Sequence, residues 1–79
     1  MQVIFYTTSG CSLCERLFAE MLAASVARGV VVQQVDIIDD DDLLARYGER
    51  IPVLRVGEQE WDGHAEEGWQ TFLTRVRSA

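Results

Sequence analysis

The chain has 79 residues, 7 of them basic and 13 acidic, for a formal net charge of −6, and 48% of it is apolar. That length holds one domain, residues 1–79, which buries roughly 60% of the surface its unfolded form exposes. Composition excludes a disordered chain, a bilayer-spanning run of roughly 20 apolar residues, a basic surface for nucleic acid and, with only two cysteines, a multi-disulfide secreted scaffold, leaving a small acidic domain expected in the cytoplasm with no nucleic-acid or membrane partner.

Residues 2–6 are β-branched and aromatic, show little alternation, and run into the turn Thr7-Thr8-Ser9-Gly10. They predict a buried strand rather than a signal peptide. Residues 12–28 have helical spacing. Leu13, Leu17, Met21 and Ala24 share a face, Phe18, Leu22 and Val26 flank it, and Gly29 stands where a helix C-terminal glycine belongs. A second strand follows at 30–36. The acids Asp39 to Asp42 read as the start of a short helix, where carboxylates cap free N–H groups and complement the dipole. Their unbroken run does not match the spaced ligands of a calcium loop. Pro52 opens a third strand at 53–56. Gly57-Glu58 turns it into a fourth at 59–61, making a hairpin. A last helix is expected over 65–77, with Trp69, Phe72, Leu73 and Val76 inward and an irregular first turn at Gly68. The first βαβ unit implies two parallel strands joined by a right-handed crossover.

Cys11-Ser12-Leu13-Cys14 falls between the first strand and the first helix. Residues three apart at a helix start lie on one side of the first turn, so their sulfurs can reach bonding distance. Cys11, at the N-cap or first helical position, meets free N–H groups and the positive end of the dipole. Both favour a thiolate and lower its pKa from about 8.5. Cys14 sits a turn deeper, shielded and less ionised. The pair therefore reads as an attacking thiolate and a resolving thiol. Two alternatives stand beside that reading. Half of a metal site is one, although zinc wants four ligands and only the distant His64 is at hand. Two inert structural cysteines are the other, although the turn before Cys11 places a sulfur near solvent.

On these residues the chain resembles the glutaredoxin-like branch of the thioredoxin fold. The opening strand, Cys11-Ser12-Leu13-Cys14 at the helix start and the strand beginning at Ile51-Pro52 carry the resemblance, which spans nearly the whole chain. It implies an α/β thioredoxin-like (glutaredoxin-type) domain, βαβ-α-ββα, with a four-stranded mixed sheet and helices on both faces. It implies that Pro52 is cis and faces the cysteine pair, and that the backbone of Ile51 pairs with bound substrate or glutathione. The activity it implies is that of a small monomeric dithiol–disulfide oxidoreductase with no intrinsic cofactor and no metal. Cys11 attacks and Cys14 resolves; the substrate is a disulfide-containing protein or a glutathione mixed disulfide, and glutathione or a reductase supplies the electrons.

Three departures bear on glutathione. Ser12-Leu13 stand where glutathione-using members carry proline and tyrosine. No basic residue precedes the pair, where those members place a lysine. Asp62-Gly63-His64 replaces their double glycine and acid. A charge of −6 does not attract anionic glutathione either, and Arg46 and Arg50 are the candidate carboxylate contacts. Two further readings share the fold: a dimer bridging an iron–sulfur cluster through Cys11, and a redox-inactive interaction module. Tyr6, Trp61 and Trp69 are read as packing, His64 as a turn or helix-cap residue, and Glu15 as a solvated helix acid whose charge opposes ionisation of Cys11.

Overall fold

The computed structural model describes residues 1–78, with the side chains of all of these except 25–28 and 78. The chain runs β1 (Gln2–Thr7), α1 (Ser12–Arg28), β2 (Val31–Asp36), α2 (Asp41–Tyr47), β3 (Val53–Val56), β4 (Gln59–Asp62) and α3 (Trp69–Ser78). The strands form one sheet in the order β2-β1-β3-β4. β1 pairs parallel with β2, from Gln2 opposite Val31 to Thr7 opposite Asp36. It pairs antiparallel with β3, Phe5 facing Leu54, and β3 and β4 form the hairpin. This is the thioredoxin-like βαβ-α-ββα order that the sequence implies.

β1 lacks alternation because helices cover the sheet on both sides. On one side Val3 and Phe5 pack with Cys14, Leu17 and Met21 of α1 and with Trp69, Phe72 and Leu73 of α3. On the other, Tyr6 and Val53 pack with Ile37 and Tyr47, and Ile4, Val35 and Leu43 close around them. β2 is one edge of the sheet, and its first residue, Val31, is exposed. Asp40 caps α2, accepting the Leu43 N–H at 3.1 Å, while Asp41 and Asp42 fill the first turn. The acidic run is thus a helix start, as its chemistry implies.

Two expectations need correction. α3 begins at Trp69 and not at residue 65. Residues 65–68 are instead tied back to β4: Ala65 N–H donates to the Asp62 carbonyl at 3.1 Å, and the Trp61 indole donates to the Glu67 carbonyl at 2.8 Å. The first helical bond of α3 runs from Phe72 N–H to the Gly68 carbonyl, so Gly68 stands at the N-cap, a position it tolerates. The second correction concerns the inward face of α1. Leu13 and Leu22 are 48% and 44% exposed, and the buried stripe is Cys14, Leu17 and Met21. Cys14 fills the core position of the first turn, which rotates its neighbour Leu13 outward. The side chain of Val26, expected beside that face, lies outside the described residues. No helix among the described residues is long and apolar enough to cross a membrane.

Candidate active site at the start of α1

β1 delivers the chain to Thr7, and the turn that follows contains Gly10 at φ 81°. That left-handed conformation suits glycine, and it swings the chain so that Cys11 stands at the head of α1. Cys11 is the N-cap. Its carbonyl accepts the Glu15 N–H at 3.1 Å and its Sγ accepts the Cys14 N–H at 3.2 Å. One of the unsatisfied donors of the first turn is thereby aimed at sulfur. Cys11 and Cys14 are disulfide-bonded, with their Cα atoms 5.2 Å apart.

The two sulfurs sit in different surroundings. Cys14 is 1% exposed, sunk among the side chains of β1 and α1, while Cys11 is partly exposed at the edge of the same core. When the bond is reduced, the N–H on Cys11 and the positive end of α1 both favour its thiolate. Burial without a charge partner disfavours a thiolate at Cys14.

The Ile51–Pro52 peptide bond is cis. Pro52 is buried at the head of β3, and its carbonyl accepts the Gly63 N–H at 2.9 Å. Gly63 lies against the proline ring: a Cβ there would stand 2.9 Å from Pro52 Cδ and 3.7 Å from Leu13 Cδ2. The two stretches singled out in the sequence therefore meet through Leu13 and Gly63. In the sequence both appear in departures from the family pattern, not as residues that join the two stretches. Leu13 carried a signal, since Cys14 competes with it for the core position of the first turn. Gly63 stands in the Asp62-Gly63-His64 turn that replaces the family's double glycine and acid. Ile51 packs between the two cores. Its N–H donates to the Tyr47 carbonyl at 3.0 Å, and among the described residues its carbonyl accepts no hydrogen bond.

Arg50 ties this loop to β4. Its Nε lies 3.2 Å from Asp62 Oδ2 and its Nη1 3.3 Å from Glu60 Oε1. Tyr47 donates its hydroxyl to Glu60 Oε2 at 2.5 Å. Burial, reinforced by Glu60, holds the Tyr47 hydroxyl above its ordinary pKa. The hydrogen bond from Tyr47, with the nearby guanidinium of Arg50, holds Glu60 below the usual carboxylate range. Arg50 is thus engaged by two carboxylates of its own chain, and Arg46 and Arg50 both lie over the Tyr47 ring, at 5.8 and 5.6 Å. This corrects the expectation that Arg50 stands open to a ligand carboxylate.

Tyr6 stacks on Tyr47 with ring centroids 4.3 Å apart. Trp61 and Trp69 are buried. His64 is exposed in the turn after β4, its N–H bonded to Asp62 Oδ1 at 2.9 Å. Glu15 is exposed one turn into α1. Among the described residues no three His, Cys, Asp or Glu side chains are grouped to hold a metal ion.

The sequence matches the family described as "Glutaredoxin-like domain (DUF836)" over residues 2–77. No curated protein matches it in sequence. Among solved structures it is similar to the X-ray structure of the structural-genomics target protein XcR50 from X. campestris. That pair shares 27% identity and a TM-score of 0.74, over 98% of this chain and 97% of that one. It is also similar to thioredoxin 1 from the thermophilic eubacterium Thermosipho africanus TCF52B. Here identity is 14% and the TM-score 0.63, over 99% of this chain and 91% of that one, a likeness of fold alone. With a cysteine pair at the head of α1, a cis-proline at the head of β3 and a family match over nearly its whole length, the chain belongs to the glutaredoxin-like domain family, on a thioredoxin-type fold.

Proposed function

We propose that the protein is a small dithiol–disulfide oxidoreductase. The observation that carries this reading is the asymmetry of the pair, with one sulfur partly exposed and holding an N–H of the helix start, and the other 1% exposed. In the reduced protein the Cys11 thiolate attacks one sulfur of a substrate disulfide, forming a mixed disulfide and expelling the other sulfur as a thiolate. Cys14, losing its proton, then attacks Cys11 Sγ. The Cys11–Cys14 bond forms, the mixed disulfide breaks, and the second substrate thiol leaves. Two electrons pass from protein to substrate. A thiol such as glutathione, or a reductase, returns them, and the protein needs no cofactor of its own.

Ile51 and Pro52 present the substrate. The carbonyl of Ile51 is the backbone group open to it, because the N–H is held by Tyr47. Leu13, exposed between the cysteines, supplies an apolar contact. Protein disulfides and glutathione mixed disulfides are the substrate classes. We place the protein in the cytoplasm as a monomer, where thiol pools keep such a pair cycling.

The test is a redox titration in defined glutathione buffers, with the state of each cysteine read by mass spectrometry. The expected result is an intramolecular disulfide with a potential between about −180 and −270 mV, the range of dithiol carriers. Cys14→Ser is expected to accumulate an adduct on Cys11. Thiols that stay reduced throughout, or a Cys14 that reacts first, would sink the assignment.

A further inference from the structure

At the carboxyl ends of the parallel strands β1 and β2, beside the head of α1, Thr7, Thr8, Ser9, Glu15, Gln34 and Asp36 line a cleft of about 330 Å³. Open α/β sheets bind ligands at this end of their strands. Two of the residues lining the cleft, Ser9 and Glu15, flank the disulfide segment. Glu15 donates its N–H to the Cys11 carbonyl, and Ser9 precedes Cys11 by two residues.

The lining is acidic and contains no cation. The ion pairs of the described residues are made elsewhere, by Arg50 and Arg75 with Glu60, Asp62 and Glu67. Asp36 accepts the Ile38 N–H at 2.9 Å and the Ser9 hydroxyl at 3.4 Å, which leaves lone pairs on both carboxylate oxygens. The Glu15 carboxylate makes no ion pair among the described residues.

Thr7 supplies a separate observation. Strand alternation turns its side chain to the face of Val3 and Phe5, the face that α1 covers and on which the cleft opens. Thr7 is 6% exposed as a residue, and its hydroxyl, which makes no hydrogen bond among the described residues, lies on the cleft wall. Among the described residues no buried side-chain nitrogen or oxygen is left without a partner, so this hydroxyl is one that opens into the cleft and meets whatever fills it.

We propose that this cleft is a subsite for a cationic side chain, arginine or lysine, carried by the substrate polypeptide beside the cysteine that Cys11 attacks. The proposal rests on the oxidoreductase reading above and narrows its substrates to disulfides flanked by basic residues. Two carboxylates suit a guanidinium or an ammonium. The Gln34 amide and the hydroxyls of Thr7, Thr8 and Ser9 accept the remaining N–H groups. The net charge of −6 draws a basic segment toward the site. Glutathione, a net anion, gains nothing from this lining.

The test is a single-turnover reaction, so that the prereduced protein itself supplies both electrons. Cysteine peptides capped as disulfides with mercaptoethanol carry arginine, or its neutral isostere citrulline, two and three residues from the cysteine. The arginine peptide is expected to oxidise the protein about tenfold faster at low salt, the effect of two exposed ion pairs. That ratio shrinks at 0.5 M salt and falls below about threefold in Glu15→Gln/Asp36→Asn. Glu15→Lys is expected to favour a glutamate-bearing peptide instead, an inversion that a merely damaged fold does not produce. A ratio that the carboxylate variants leave intact would show that overall charge, and not the cleft, draws the peptide, and would overturn the proposal. A ratio near one in the unaltered protein, with both peptides reacting, overturns the subsite while leaving the oxidoreductase reading standing. Failure of both peptides to oxidise the protein overturns the two together.

Discussion

Tyr47 and Glu60 give the protein a pH dependence with a definite sign. Glu60 titrates below its ordinary range in the folded protein because Tyr47 donates to it and Arg50 stands beside it. Its stabilisation is therefore complete above the unfolded value of about 4.3 and is lost as the pH falls through the lower native value. Tyr47 titrates above its ordinary range because of burial and Glu60. Its contribution is present below about 10 and is lost as the pH rises through the higher native value. Tyr47→Phe removes the donor and leaves Glu60 to Arg50. Urea unfolding at neutral pH is expected to show a loss of about 2 kcal/mol, the worth of a hydrogen bond to a charged group. The alkaline and acid limbs are both expected to flatten, because residue 47 no longer titrates and the native Glu60 value moves back toward its unfolded one. Identical acid limbs in the two proteins would show that this hydrogen bond does not set the titration of Glu60.

Between elements, the contact that matters most for the site is Gly63 against Pro52. The turn after β4 must lie flat on the head of β3 because Gly63 N–H reaches the Pro52 carbonyl. A methyl group at Gly63 meets Pro52 Cδ at 2.9 Å, closer than van der Waals contact allows. Gly63→Ala is therefore expected to cost about 1–3 kcal/mol, as overpacking does. It is also expected to slow reaction with protein disulfides, because the strain falls on the loop proposed to present the substrate. Thermal melts and single-turnover rates read the two effects separately. A variant with unchanged melting and unchanged rate would mean that the turn moves aside freely and that Gly63 has no part in shaping the site.

The protein has little stability in reserve. A domain of this length has about 4–12 kcal/mol in all, and its larger core is assembled around Phe5 and Phe72, both fully buried. Phe72→Ala is expected to remove about 3–5 kcal/mol, leaving a substantial unfolded population at 37 °C. Leu44→Ala, at a residue that is 36% exposed, is expected to cost under about 1 kcal/mol. Trp61 and Trp69 are both buried, so tryptophan fluorescence during urea unfolding follows the whole fold. A Phe72→Ala protein that melts within about 1 kcal/mol of the parent would show that α3 does not hold the sheet together.

Much of this architecture is local in origin, and local features can be read along the chain. The unalternating apolar run of β1 marks a strand covered on both faces. The span of α1, from the residue after Cys11 to the residue before Gly29, follows from a capping position and a helix-ending glycine. The acids before Leu43 mark the head of α2, and Gly57 marks the hairpin. The cysteine pair at a strand-to-helix junction belongs with these, since its spacing and the helix start are both properties of a few consecutive residues. The outward turn of Leu13, the start of α3 at Trp69, the seat of Gly63 on Pro52, the capture of Arg50 by Glu60 and Asp62 and the acidic cleft between β1, β2 and α1 were decided by the tertiary structure alone. Each joins residues distant in sequence or settles a competition for the same space. Periodicity and capping report which conformations a segment favours, not which distant surface it will meet.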